Sequence, residues 1–348
     1  MNILNSMFLK WDAGTENSFI EYAKALQDCN FNVINLVHPK AQIINKLKEH
    51  NLYYIQSRFL GRLGKKDPFT IIYFKYLIKK HHINLILAHQ GRLISLFKAA
   101  CHNNVKLIGV NHGYNPKHNV GIDFAITLNT QAYKETIKLG QHKQKIAILP
   151  HSIDLTGDKT HKSVSSTINN NDIYIGSYGR LSPEKGYHHL IEALNILHLK
   201  GINFKAFIGG TGIDEDDLKA KVKLYNLEQK IQFIGWVQDK QAFYQKINLF
   251  ILPSKQEEFS ITLLEAMKYH TPILATKCHG PADIIHDQKT GFLVDVNNPK
   301  QMATKIEFII NNQTILESIT NNAYNELEKK YSTNIFRKNL KNIINSCS

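Results

Sequence analysis

The chain has 348 residues, 43% hydrophobic and 21% charged, which excludes a disordered or collagen-like protein. No apolar run approaches the ~20 residues of a membrane-spanning helix. The net charge of +14 is lopsided: residues 1–155 hold 20 basic and 9 acidic side chains, +11, and the rest hold 23 and 20, +3, so the first half is expected to meet something anionic, whether nucleic acid, lipid or phosphorylated glycan.

In chain order, short apolar runs alternate with longer amphipathic stretches. Residues 1–9 read as a strand, 16–29 as a helix and 31–37 as a strand. A helix over 68–80 leads to a strand over 83–89, and a helix over 92–103 to a strand over 105–111. Strands over 122–128 and 145–149 flank a further helix. The polar stretch 156–172, rich in Ser, Thr, Asn and Lys, reads as a linker. Alternation then restarts, with strands over 173–178, 204–208, 231–235, 249–252, 272–275 and 291–294. Helices are predicted over 186–199, 214–225 and 260–269, and three more close the chain, the last over 333–345. The pattern predicts an α/β protein of two doubly wound, Rossmann-like domains, 1–155 and 172–331, whose facing cleft is the natural ligand site.

Cys29, Cys101, Cys278 and Cys347 are scattered, with no C-x-x-C pair. They suggest neither a disulfide framework nor a zinc site and fit a reducing cytoplasm. Residues 1–12 lack the pattern of a signal peptide.

Two constellations carry chemistry. The run GRLSPEKG, from Gly179 to Gly186, follows a strand and opens a helix. Gly179 allows close backbone approach, and Arg180 and Lys185 add two cations to a helix start that already attracts anions, which suits a diphosphate. The run EEFSITLLEAM begins at Glu257 and places Glu265 in the second turn of the helix after it. Backbone N–H groups at Phe259, Ser260 and Ile261 would face a ligand. A carboxylate at Glu265 can accept from the vicinal hydroxyls of a ribose, and one at Glu257 from sugar hydroxyls. Leu263, Leu264, Ala266 and Met267 are apolar, so an unpaired Glu265 among them would be costly. The acidic run Asp214 to Asp217 starts a predicted helix and reads as capping rather than as a metal-binding D-x-D.

With these runs in place the chain resembles family 4 of the retaining glycosyltransferases (group 1 glycosyltransferases), which have the two-domain GT-B fold. The family's G-R-L-x-x-E-K-G matches Gly179 to Gly186, its G-x-G loop Gly210-Thr211-Gly212, and its F-x-G Phe233-Ile234-Gly235. Its E-x7-E matches Glu257 and Glu265. His270 stands where the family usually has Gly, ahead of Thr271-Pro272. In the first half, Gly14 lies in the position of a Gly-rich loop, Ala88-His89 matches an A-H pair, and His112-Gly113 matches an H-G after a strand.

The resemblance implies transfer of a sugar from a UDP- or GDP-sugar to a glycan or lipid-linked acceptor, with retention, in a pathway such as bacterial lipopolysaccharide or surface polysaccharide synthesis. Arg180, Lys185, Glu257 and His112 would serve the reaction. Gly14, Gly179, Gly210, Gly212, Phe259, Ser260, Ile261 and Glu265 would bind the donor. The first domain would take the acceptor, and the last helix, about 332–348, would pack back on it. Neither a metal nor another cofactor is expected, nor a nucleic-acid partner: no helix-turn-helix, zinc-finger or RNP pattern occurs. Other classes to be separated by experiment are a GT-B epimerase or hydrolase and a basic nucleic-acid-binding protein.

The stretch that begins at Arg58 and ends at Lys80 holds seven Lys or Arg and one acid, interleaved with apolar residues. It reads either as an anionic-membrane surface, placing the protein at the inner face of the cytoplasmic membrane, or as a helix with one solvated basic face.

Overall fold

The computed structural model describes residues 1–8, 15–57, 67–101, 104–113, 115–156 and 173–347. The chain forms two compact units, Met1–His151 with Thr333–Ser348, and Ser152–Ser332.

The first unit is built on seven parallel strands: β1 (Asn2–Met7), β2 (Asn32–Val37), β3 (Tyr54–Gln56), β4 (Leu85–Ala88), β5 (Lys106–Asn111), β6 (Phe124–Thr127) and β7 (Ile146–Ile148), in the order β3-β2-β1-β4-β5-β6-β7. Strands β4 and β6 are buried at every residue, as a sheet covered on both faces requires. One face packs Tyr22, Ala25 and Leu26 of helix Thr15–Asp28 together with Phe336, Leu340 and Ile344 of the last helix, Thr333–Cys347. The last helix therefore belongs to the core of this unit. The other face is covered by helices Pro68–Lys80 and Gly91–Ala100, where Phe74 stacks on Phe97 at 4.3 Å. Helix Pro68–Lys80 has the start its sequence predicts: Pro68 needs no donor, and Asp67 Oδ1 accepts from the N–H of Phe69 at 3.1 Å.

The second unit has six parallel strands: β8 (Ile173–Tyr178), β9 (Phe204–Gly209), β10 (Ile231–Gly235), β11 (Leu249–Leu252), β12 (Ile273–Thr276) and β13 (Phe292–Val294), in the order β10-β9-β8-β11-β12-β13. The order reverses between β8 and β11 here, and between β1 and β4 in the first unit. Such switch points open crevices at the carboxyl ends of strands.

Among the described α-helices and strands, four escape the sequence reading: helices Ile44–Glu49, Lys240–Lys246 and His279–Ile284, and strand β3. Each is two turns or less, or three residues, too short to carry a hydrophobic period. The acidic run opens helix Glu215–Leu224 as expected, but Asp214 makes no side-chain cap; its carboxylate lies 3.7 Å from His188 Nε2 instead. His270 adopts a left-handed φ of 50°, where glycine is the least strained choice, and its ring stacks on Tyr324 at 4.6 Å.

Candidate active site

In the second unit the two predicted constellations meet. The chain leaves β8 at Gly179, makes a short turn over Pro183–Lys185 and enters helix Tyr187–Leu199 through Gly186. Gly186 has φ 69°, and a Cβ there would lie 2.1 Å from the carbonyl oxygen of Pro253, just beyond β11. That contact brings the loops after β8 and β11 together. The carbonyl of Glu184 then accepts from the N–H groups of Lys255 at 2.8 Å and Gln256 at 3.2 Å. Across this junction Lys185 Nζ donates to Glu257 Oε2 at 2.6 Å. The N–H of Gly280, in helix His279–Ile284, donates to the carbonyl of Glu257 at 2.8 Å.

Gly210 and Gly212 lie in the loop after β9. A Cβ on Gly210 would sit 1.8 Å from the Gly179 oxygen, and one on Gly212 would sit 2.1 Å from the Leu181 oxygen. The structure needs these glycines to seat one loop on the next, a local reason for their presence. Arg180 reaches outward, 60% exposed, with Glu184 Oε1 3.9 Å away.

Helix Ile261–Lys268 starts one residue later than predicted. Ser260 occupies its N-cap position, but the Ser260 hydroxyl pairs with Thr262 Oγ1 at 2.8 Å and makes no cap bond. The first N–H groups of the helix thus lack a partner within it. Phe259 is buried against Tyr331.

The two glutamates differ electrostatically. Burial raises Glu257 above the usual carboxylate range, and the Lys185 ammonium only partly offsets it. Burial pushes Glu265 up to about 8, opposed weakly by Lys268, and its Oε2 is shut off from solvent without a hydrogen-bond partner. Lys240, which the sequence reading passed over, lies with Nζ 3.8 Å over the ring of Tyr178 at the end of β8, and burial lowers it to about 8.

His112 lies in the first unit, directly after β5. Its Nε2 is 2.8 Å from His89 Nδ1, and its ring is stacked on that of His151 at 5.5 Å. Gly14 lies outside the described residues. Among the described residues, no group of three or more His, Cys, Asp or Glu is placed to hold a metal ion.

Residues 158–326 match the family described as glycosyl transferases group 1. This segment resembles a group 1 glycosyltransferase domain. It contains the junction of Lys185 with Glu257 and the helix bearing Glu265. Over 193 residues, 55% of this chain and 50% of the relative, the chain is 30% identical to the capsular polysaccharide biosynthesis glycosyltransferase CapM of Staphylococcus aureus. Over 156 residues, 45% of each, it is 26% identical to the lipopolysaccharide core biosynthesis glycosyltransferase LpsE of Rhizobium meliloti. The chain thus spans about half the length of these relatives. The structure of Anabaena HepE in complex with UDP and glucose superposes with a TM-score of 0.83 at 20% identity, over 99% of this chain and 100% of that one. The chain has the GT-B fold, two parallel-sheet Rossmann-like units.

Proposed function

We propose that this protein is a retaining glycosyltransferase that moves a sugar from a UDP- or GDP-sugar to a glycan or lipid-linked acceptor, in the assembly of a bacterial surface polysaccharide or lipopolysaccharide. The observation that carries the reading is Glu265, whose buried Oε2 has no hydrogen-bond partner among the described residues, in the helix that follows the loop where Glu257 meets Lys185. A buried acceptor without a donor is costly, and two vicinal ribose hydroxyls are donors of the right kind. As the donor's glycosidic bond breaks, negative charge gathers on the diphosphate. Lys185, Arg180 and the start of helix Ile261–Lys268 would stabilise it. Lys185 would then share its ammonium with the diphosphate, and Glu257 would accept from hydroxyls of the sugar. His112 would accept from another hydroxyl. Retention, the lipopolysaccharide or surface-polysaccharide setting and the choice of UDP or GDP donors follow from the family resemblance. The names of CapM and LpsE support the polysaccharide or lipopolysaccharide setting, and the UDP and glucose of the HepE structure support a UDP-sugar donor.

A thermal-shift screen over UDP-glucose, UDP-galactose, UDP-N-acetylglucosamine and GDP-mannose tests the reading. A ligand at 100 times its Kd stabilises the native state by about 2.7 kcal/mol. No shift with any of these, nor with UDP or GDP alone, would overturn it. The anomeric configuration of the product, read by proton NMR, tests retention.

The diphosphate's charge is met by side chains and helix N–H groups, so transfer should proceed without metal. Full activity is expected in EDTA. An activity lost to chelation and restored by Mg²⁺ or Mn²⁺ would refute this.

The first unit is proposed to rest on anionic membrane. Among the described residues no helix is long and apolar enough to cross a membrane. Helix Pro68–Lys80 buries Thr70, Phe74, Leu77 and Ile78 and turns Phe69, Ile72 and Tyr76 outward, 65%, 64% and 55% exposed. Lys75, Lys79 and Lys80 share the exposed surface. Arg58, Arg62, Lys65 and Lys66 lie outside the described residues. The outward side carries cations together with apolar side chains, which supports the membrane reading. Each cation near an anionic leaflet contributes about 1 kcal/mol. Ile72→Ser combined with Lys75→Glu, Lys79→Glu and Lys80→Glu should abolish co-sedimentation with phosphatidylglycerol vesicles at low salt and spare UDP binding. Unchanged co-sedimentation would show the helix to be merely solvated.

A further inference from the structure

The first unit holds a directed chain of hydrogen bonds that ends on His112. It begins at a backbone carbonyl, Tyr53 O, which can only accept. Asn35 Nδ2 donates to it at 2.9 Å. That leaves Asn35 Oδ1 as the acceptor, and Asn5 Nδ2 donates to it at 2.9 Å. Asn5 Oδ1 in turn accepts from His89 Nε2–H at 2.8 Å. Burial, with a smaller contribution from His151, lowers His89 to about 3, so its ring is neutral and carries one proton. With that proton on Nε2, His89 Nδ1 offers a lone pair, and the atom 2.8 Å from it, His112 Nε2, must donate. Burial first, then the neighbouring His89 and His151, also lowers His112 well below its usual range. Its remaining nitrogen, Nδ1, is therefore an acceptor. That atom is shut off from solvent and has no partner among the described residues.

The surroundings hold the rings in this arrangement. His112 lies parallel to His89 and to His151, at interplanar angles of 13° and 6°. Tyr22 and His89 pack edge-to-face with ring centroids 4.8 Å apart. Asn5 and Asn35 are buried side chains within apolar strands β1 and β2, where an amide is tolerated only if its hydrogen bonds are made.

We propose that Asn35, Asn5 and His89 are positioning residues that lock His112 in its Nε2–H tautomer, so that Nδ1 accepts only from a hydrogen-bond donor, a hydroxyl of the sugar substrate. What meets Nδ1 rests on the glycosyltransferase reading; the tautomer does not. The consequence for specificity is direct: a substrate with fluorine in place of that hydroxyl keeps its shape but cannot donate.

Imidazole ¹⁵N NMR of the whole protein at pH 7, assigned with His112→Gln, reads the tautomer without any substrate. The expected spectrum shows His112 neutral and protonated on Nε2. In Asn5→Asp the carboxylate should draw His89 into its imidazolium form, reverse the bond to His112 and move the His112 proton to Nδ1. Calorimetry should find UDP affinity unchanged. With the donor identified by thermal shift, kcat/KM should fall roughly tenfold or more, the worth of one hydrogen bond turned from acceptor to donor. If Asn5→Asp does not fold, Asn35→Ala makes the same test from the far end, freeing the Asn5 amide to turn over and mixing the tautomers. A wild-type His112 protonated on Nδ1 overturns the proposal, and so does an inverted tautomer with unaltered transfer. The expected tautomer in a protein that transfers no sugar would count against the glycosyltransferase reading and leave the relay standing.

Discussion

Replacing Lys185 by alanine should lower the rate of sugar transfer by about 10²–10³-fold, the scale of a lost preorganised donor to a developing oxyanion. Lys185 is held at 2.6 Å from Glu257, on a turn whose backbone is pinned to the loop after β11. Its ammonium therefore needs little reorganisation when charge builds on the leaving diphosphate. Arg180→Ala should also slow transfer, but less: Arg180 is 60% exposed with its nearest carboxylate 3.9 Å away, so solvent screens it more and it must order on binding. Single-turnover rates with saturating donor measure both. Near-normal rates in the two variants would remove these cations from the reaction. Lys185→Ala also strips Glu257 of the ammonium that opposes the effect of burial. Glu257 should then protonate more readily, and the residual activity should shift to higher pH.

Glu265→Gln should weaken UDP by about 10–100-fold in calorimetry, the difference expected when hydrogen bonds to a charged acceptor become neutral ones. Glu257→Gln should leave UDP binding near normal and lose transfer, because its proposed partners are the sugar and Lys185. Equal behaviour of the two variants towards UDP would refute this division. Glu265 makes a further prediction about the empty protein. Its carboxyl is raised to about 8, so the native state holds a proton that the unfolded chain has already released. Stability should therefore fall as pH rises from about 4.5 to about 8, by at most about 1.4 kcal/mol per pH unit from this group. Below that window the group contributes nothing. Thermal melts across pH should be flatter in Glu265→Gln, and flatter in wild type with saturating UDP, whose hydroxyls favour the charged form. Melts with equal pH dependence in both proteins would contradict the buried, unpartnered state of this carboxyl.

The motifs of the second unit were legible because each answers a local demand. Gly186 stands where the backbone is left-handed and a Cβ would strike Pro253, and Gly210 where a Cβ would strike Gly179. Residue types so constrained survive as recognisable strings. The residues proposed for the site in the first unit were less legible. His112 and His89 could be noticed as histidines ending strands, but Asn5 and Asn35 were passed over. A signal was present: two amides inside the runs NILNSM and NVINLV, which are otherwise suited to a sheet buried on both faces. Their partners could not be read, since Asn5 meets Asn35 through the pairing of β1 with β2, and His89 through the pairing of β1 with β4.

By itself, the sequence determined the class of fold and the order of the two units. Burial on both faces of parallel strands and one face of each covering helix imprints a period on consecutive residues, and a period is local. It also marked the candidate donor-binding runs at the end of β8 and in the helix after β11, where one short run holds every residue of a motif. Only the tertiary structure decided which groups meet. Lys185 and Glu257 are 72 residues apart and pair because β8 and β11 are neighbours in the sheet. The proton arrangement of His112 depends on four strands brought together by crossovers. Hydrogen bonds act over about 3 Å, and strand order, which no local pattern encodes, is what places distant residues within that reach.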